Sequence, residues 1–260
     1  DASGNMWLGT ANSGLVMVKR NNHFFENFTI DYSNDNILTP SANAIYVDDR
    51  NQLWWGLTSQ GFMRMDLDTR TFQHFSSMPE FKNIKTMSSV NCFMKRKITG
   101  ELWIGLFGDG VCVYEEGHEA KIFNSWNCSF IKDNSVYSLF EDHDGNVWIG
   151  TKAGLSILQT NGNGYIFNSL HVDGHDYSIS TINCISQDSE GNIWIATDED
   201  GIVKMSGDFM HPKKIKSKAY GHWNNAMPTS GILCIFVDSQ QRIWVGTQNC
   251  GLFTYDRAHD

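Results

Sequence analysis

The side chains of this sequence that could do chemistry fall into two groups, and each also has a purely structural reading. Flat aromatics beside hydrogen-bonding groups occur at Trp223 with Tyr220, His222 and Asn224, at Trp126, and more weakly at Tyr177 with His175 and His171. A sugar ring has apolar C–H faces, so an indole or phenol next to amide and imidazole groups suits it. The structural alternative is that these aromatics fold down and cover the rim of the fold. Carboxylates occur in short turns at Asp109 and at Asp198, Glu199 and Asp200. There they could accept hydrogen bonds from ligand hydroxyls or, suitably paired, flank a glycosidic bond. Their plain alternative is to be surface turn residues.

No metal or cofactor is expected. Asp142-His-Asp-Gly-Asn begins like a calcium loop but has no Glu at the required distance, and it is one copy of a turn that recurs along the chain. Six cysteines are present without a C-x-x-C pair, which argues against zinc. Cys92, Cys184 and Cys234 occupy one repeated position, filled elsewhere by Ala44 and Ser138, and read as small fillers where strands crowd. Equivalent positions on different repeats are too far apart to bridge as a rule. Cys112 falls on a strand, Cys128 and Cys250 in loops. The basic runs at residues 95–97 and 213–216 are short; the second falls on an outer strand, where lysines blunt edge pairing.

The whole composition narrows the field. The 260 residues are 41% hydrophobic, 13% aromatic and 19% charged, enough for a sizeable core. A net charge of −9 leaves no electrostatic footprint for nucleic acid or for an anionic membrane surface. No apolar run approaches a membrane span; residues 232–237 are among the longest. The chain opens on Asp1 rather than Met, without a signal peptide, and reads as a processed product or a cut piece.

Six of the nine tryptophans set the architecture. Trp7, Trp54, Trp103, Trp148, Trp194 and Trp244 are spaced by 47, 49, 45, 46 and 50 residues. The same words return around each. The fourth copy runs Asp142-His-Asp-Gly-Asn-Val-Trp-Ile-Gly-Thr151 with Gly154-Leu155 following, and the first, fifth and sixth match it closely. The second copy has Asn51 in the Gly place and Leu57 in the Thr place, and the third lacks the leading Asp. In the fifth copy, residues 182–187, 193–197, 202–205 and 213–216 read as four strands joined by Asp/Gly turns. Four short strands per repeat of about 47 residues is the pattern of a β-propeller blade, and the repeat tryptophans then belong to the packing between blades. The fold class is therefore all-β, with antiparallel four-stranded blades over residues 1–30, 42–76, 89–124, 135–169, 181–216 and 231–256. The first and last are incomplete, which fits a ring of six or seven blades. Residues 1–260 form one propeller domain or a fragment of one. The loops joining one blade to the next cover residues 31–41, 76–88, 124–134, 169–180 and 217–230. They share an end with the turns between second and third strands, and they carry Trp126 and Trp223. Trp55 directly follows a repeat Trp, so alternation places it on the opposite blade face. Asn43, Asn91 and Asn183 each precede a small residue on the first strand, where an amide would tie neighbouring strands.

The repeat Asp-x-x-Gly-Asn-Ile/Val-Trp-Ile-Gly-Thr-x-x-Gly-Leu resembles the two-component-regulator propeller repeat over essentially the whole chain. That resemblance implies the periplasmic sensor region of a Bacteroidetes hybrid two-component system, attached through segments outside this chain to an inner-membrane span and a histidine kinase. It implies an oligosaccharide ligand, neighbouring propeller and signalling domains as partners, a homodimer as one arrangement, and no catalysis in this chain. Two other classes remain open: a propeller enzyme acting on polysaccharide, a glycoside hydrolase or lyase, and a protein-interaction platform. Against the sialidase-like enzymes, Gly follows the repeat Asp by three positions, not two.

Overall fold

The computed structural model describes residues 4–10, 14–18, 25–28, 41–167, 169–172, 175–178, 180–211 and 214–257. The described chain is all-β and is built of antiparallel propeller blades, with regular helix limited to single 3-10 turns. Its contacts divide it into two compact units, Asp1–Phe123 and Asn124–Asp260.

The first unit holds three sheets. The first contains β1 (Met6–Thr10), β2 (Gly14–Val18) and β3 (Phe25–Phe28). Next come β4 (Ala42–Val47), β5 (Gln52–Leu57), β6 (Phe62–Asp66) and β7 (Phe72–His74). Last are β8 (Val90–Lys95), β9 (Leu102–Leu106), β10 (Gly110–Tyr114) and β11 (Lys121–Phe123). Consecutive tryptophans on β5 face opposite ways, as alternation requires. Trp54 packs with Phe62, Leu102, Ile104 and Tyr114 between the second and third sheets. Trp55 packs with Trp7, Leu15, Met17 and Met63 between the first and second. The connection after β7 folds down as a plug: Phe75, Met78, Phe81 and Met87 all join the core beside Trp54.

The second unit holds β12 (Val136–Glu141), β13 (Val147–Thr151), β14 (Gly154–Leu158) and β15 (Gly164–Phe167) as one sheet. The next contains β18 (Ile182–Gln187), β19 (Ile193–Thr197), β20 (Ile202–Ser206) and β21 (Lys216–Tyr220). The last contains β22 (Ile232–Val237), β23 (Ile243–Thr247) and β24 (Leu252–Thr254). Two details differ from the sequence reading. The connection expected at 169–180 holds a hairpin, β16 (Ser169–Val172) and β17 (His175–Ser178). Its first strand pairs in parallel with β21 through Val172 and Ser217, widening that sheet to six strands. The fourth strand expected at 213–216 lies instead at Lys216–Tyr220, because Ala219 and Tyr220 have the apolar surface that packs against the neighbouring cores.

The repeat words have direct structural meaning. The leading Asp bends the chain and then receives the indole N–H of its own Trp. The Nε1 to Oδ2 distances are 3.0 Å for Trp54–Asp48, 2.8 Å for Trp148–Asp142 and Trp194–Asp188, and 2.9 Å for Trp244–Asp238. The third copy lacks that Asp, and Trp103 turns to Glu101 at 3.3 Å. The Thr that ends the second strand donates to the Gly carbonyl across the next turn, at 2.8 Å for Thr151–Gly154, Thr197–Gly201 and Thr247–Gly251. Every first strand from β4 onward carries an irregularity in register, at Asn43, Asn91, Tyr137, Asn183 and Leu233. A bulged residue is released from its own ladder. At two of these places the Asn side chain reaches the neighbouring blade's first strand: Asn43 Nδ2 donates to the Val90 carbonyl at 3.1 Å and Asn183 Nδ2 to the Ile232 carbonyl at 2.9 Å. These are the ties between neighbouring strands expected of the repeated Asn.

Candidate functional site

The loop end of the second unit is built by the connections leading into β12 and β22 and by the β19–β20 turn. The segment before β12 is a self-bonded turn. Asn124 Oδ1 accepts from the Trp126 amide at 3.1 Å, Asn127 Oδ1 from the Asn124 amide at 2.8 Å, and Asn134 Oδ1 from the Ser125 amide at 2.7 Å. Three Asn side chains hold the backbone, and the Trp126 side chain is left 81% exposed. An indole held into water on a braced turn is available to stack on a flat apolar face.

The segment before β22 behaves differently. Its 3-10 turn, His222–Asn224, is closed by Asn224, whose Oδ1 accepts from the Gly221 amide at 3.0 Å and whose Nδ2 donates to the Ala219 carbonyl at 2.8 Å. His222 Nδ1 bonds Ser230 Oγ. Trp223 lies back over Gly221, where an added Cβ would sit 2.5 Å from Nε1, and remains 40% exposed. Tyr220 stands on β21, not in the loop. Its ring stacks on Trp194 at 6.0 Å and meets Tyr255 edge-on at 5.8 Å. Of this predicted cluster, then, Trp223 and His222 reach the surface, Asn224 organises the loop and Tyr220 packs between blades. His175 and Tyr177 fall on β17, and their side chains lie outside the described residues.

The carboxylates show a repeated structural use. Asp200 Oδ2 accepts from the Ser180 amide at 3.0 Å, and in the first unit Asp109 Oδ2 accepts from the Ser88 amide at 3.0 Å. Each ties the turn between second and third strands to the chain entering a first strand. Asp198 is exposed, with its backbone N–H on the Thr181 carbonyl at 3.0 Å. Phe107, exposed on the β9–β10 turn of the first unit, is an aromatic that the sequence reading passed over. Its only signal was its place in a Gly-rich turn, Phe107-Gly-Asp-Gly.

At the opposite end of the blades, a cavity of about 330 Å³ lies between the second and third sheets of the first unit, lined by Tyr46, Arg50, Gln52, Arg64, Lys95 and Tyr114 among others. Its walls are mutually engaged: Arg50 pairs with Glu116, Lys95 with Asp49, Arg64 with Gln73, and Gln52 with Asp66 at 2.8 Å. No cluster of three His, Cys, Asp or Glu among the described residues could hold a metal ion. Burial pushes the Cys112 thiol up to about 12, so it is no nucleophile at neutral pH.

Comparison with known proteins gives a family match over part of the chain. The two component regulator propeller model matches residues 131–153, 176–199 and 226–249, each running into a first strand and through the Asp turn into the second. Histidine kinase P4 of Formosa agariphila is 28% identical over 161 residues, 59% of this chain and 11% of that protein. Among solved structures, the extracellular domain of the hybrid two component system BT3049 from B. thetaiotaomicron aligns with a TM-score of 0.74 at 22% identity, over 96% of this chain and 31% of that one. PorZ, a surface component of the type-IX secretion system of Porphyromonas gingivalis, aligns at 0.70 and 19% identity, over 96% and 37%. A streptogramin B lyase aligns at 0.65 and 10% identity, over 98% and 80%. The last three similarities show the shared fold. The chain spans about a tenth of the curated relative and about a third of the first two structures.

Proposed function

We propose, from the match of three segments to the two component regulator propeller model, that this chain is the extracytoplasmic, ligand-binding sensor propeller of a hybrid two-component system, and that its loop end binds an oligosaccharide. The signal passes to a histidine kinase on the far side of the inner membrane, outside these 260 residues. No helix among the described residues is long and apolar enough to cross a membrane. Signalling requires only that the sugar bind one arrangement of the receptor more tightly than another.

The observation that carries the ligand assignment is Trp126. Five of the six repeat tryptophans are buried and Trp244 is partly buried, whereas Trp126 is 81% exposed on a turn braced by three Asn side chains. Trp223, with His222 beside it, supplies a second exposed indole on a connection at the same end of the blades. The two turn carboxylates Asp109 and Asp200 accept backbone amides, which favours binding over an acid–base pair. Calorimetry against a panel of oligosaccharides tests the reading. A sugar bound without turnover, with affinity falling about tenfold or more in Trp126→Ala, supports it. Product release on incubation, or full affinity in the Trp126→Ala and Trp223→Ala double variant, overturns it.

A further inference from the structure

We propose that the cavity between the second and third sheets of the first unit is a binding site in its own right, and that it takes a small hydroxylated carboxylate such as a sugar acid. Cross-strand register builds it from two facing rows. Tyr46, Trp54, Arg64 and Gln73 lie side by side across all four strands of one sheet. Lys95, Leu102 and Tyr114 lie side by side across three strands of the next. Trp54 and Tyr114 meet at the centre, with ring centroids 5.3 Å apart. Around them the polar members of the rows enclose about 330 Å³, within the size range of small-ligand sites.

The fourth repeat shows what the same place looks like when it only packs. Its matching row is Phe140, Trp148, Ile157 and Tyr165. There Ile157 is fully buried, and Phe209 meets Trp148 edge-on at 4.9 Å. Arg64 stands where that repeat has a core aliphatic, and a cation in such a place calls for a counter-charge. The chain does not supply one in contact. Arg64 lies 5.6 Å over Trp54 and bonds Gln73 Oε1 and the Tyr114 hydroxyl, all neutral. It pairs with no carboxylate among the described residues. The acids of the wall are spent on other donors. Asp48 accepts from the Arg50 and Gln52 amides and the Trp54 indole, at 3.0, 2.9 and 3.0 Å. Asp66 accepts from the Asp68 and Thr69 amides and Gln52 Nε2, at 3.0, 2.8 and 2.8 Å. Glu116 answers Arg50, and Asp49 answers Lys95. Arg64 is the cation left for a ligand, and a carboxylate matches its flat guanidinium fork. The Tyr46 hydroxyl, which bonds no described residue, is a second donor on the same row. The remaining wall, with Arg50, Gln52, Lys95 and Glu116, offers donors and acceptors, so it suits a hydroxylated ligand body and not an apolar one.

Calorimetry on the 260-residue chain tests the site. D-glucuronate is the probe, D-glucose the uncharged ring of similar size, and sulfate the inorganic anion. The expected result is saturable binding of glucuronate, tighter by about tenfold or more than that of glucose or sulfate. Arg64→Met keeps a side chain over Trp54 and removes the charge, and it should weaken glucuronate by about tenfold or more. Tyr46→Phe removes one hydroxyl and should weaken it by about threefold or more, with the melting temperature unchanged. If Arg64→Met does not fold, Tyr46→Phe decides. The Trp126→Ala and Trp223→Ala double variant should bind glucuronate as wild type does, which separates this site from the oligosaccharide reading. Absence of saturable glucuronate binding overturns the proposal. So does an affinity that Tyr46→Phe and a folded Arg64→Met leave intact, or one that the loop-end double variant removes. Sulfate bound as tightly as glucuronate means an adventitious ion only, and glucose bound as tightly means that the carboxylate is not read; either result overturns it.

Discussion

Asp188 shows why an acidic residue opens most of these repeats. Its Oδ1 accepts from the Glu190 and Asn192 amides, both at 3.0 Å, while Oδ2 takes the Trp194 indole at 2.8 Å and the Asn192 side chain at 3.0 Å. Burial pushes the carboxyl up, but the bonds from Asn192, Trp194 and the backbone outweigh it, and the pKa lies below the ordinary 3.8. A folded-state pKa below the unfolded one contributes stability that is complete above about pH 4 and is lost as pH falls through the folded value. In urea unfolding, Asp188→Ala is expected to cost about 2–4 kcal/mol at neutral pH, since buried donors lose their acceptor. The gap between wild type and Asp188→Asn should narrow below about pH 4. Tryptophans divide the same way. Trp194→Ala should cost about 3–5 kcal/mol by emptying the interface it fills, and Trp126→Ala should leave unfolding within about 0.5 kcal/mol. The type and spacing of these residues made the first group legible in the sequence. Tyr220 was not legible. Nothing local separates an aromatic that ends a strand and stacks on the next blade from one that begins a loop.

At the scale of the element, the hairpin turns explain how loose copies keep the fold. The fourth residue of the Asp turn is left-handed in the five copies that have the Asp, with φ 76° at Gly4, 60° at Asn51, 81° at Gly145, 83° at Gly191 and 62° at Gln241; in the third copy, whose turn opens on Arg96 and is one residue longer, the left-handed place falls on Gly100 at 77°. Asn51 and Gln241 therefore take up the glycine's conformation, and those hairpins keep their register. Gly191 has only the end of Gln187 within 4.0 Å of an added Cβ, so Gly191→Ala isolates the backbone cost. That substitution should lose about 1–2 kcal/mol in thermal or urea unfolding, with no change in packing. Strand alternation and turn words were enough to place most strands. They were not enough for the β16–β17 hairpin, whose pairing to β21 is a long-range contact, or for the plug after β7, whose Met and Phe burial depends on the sheet beneath it. The register irregularity at each Asn was equally hidden, because a bulge is defined by two strands and not by one.

At the scale of the molecule, the net charge of −9 shapes what the loop end can attract. Long-range repulsion of anions, with stacking and hydrogen bonding as the local attraction, favours uncharged saccharides. Their affinity should therefore change less than about twofold when salt is raised several-fold, whereas an anionic ligand would gain from screening. Calorimetry at two ionic strengths checks this. The cross-blade ion pairs bear on the ordering of the molecule. Arg50 meets Glu116 two residues past the leading Asp of one repeat and two past the third strand's Tyr114 in the next; Glu190 meets Arg257 at 3.0 Å in the equivalent places. Both pairs are exposed, so each is worth about 0.2–1 kcal/mol, and a double-mutant cycle on Glu190 and Arg257 should return a coupling in that range.

Those two pairs run in opposite polarity. Tandem copies in a gene are prone to slippage and unequal exchange, and identical copies would give no penalty when reshuffled. Here, exchanging the third repeat for the sixth would set Arg257 against Arg50 and Glu116 against Glu190. Such an exchange would turn two weak attractions into two weak repulsions of like charge, so the two surfaces are not interchangeable even though the repeats share one backbone.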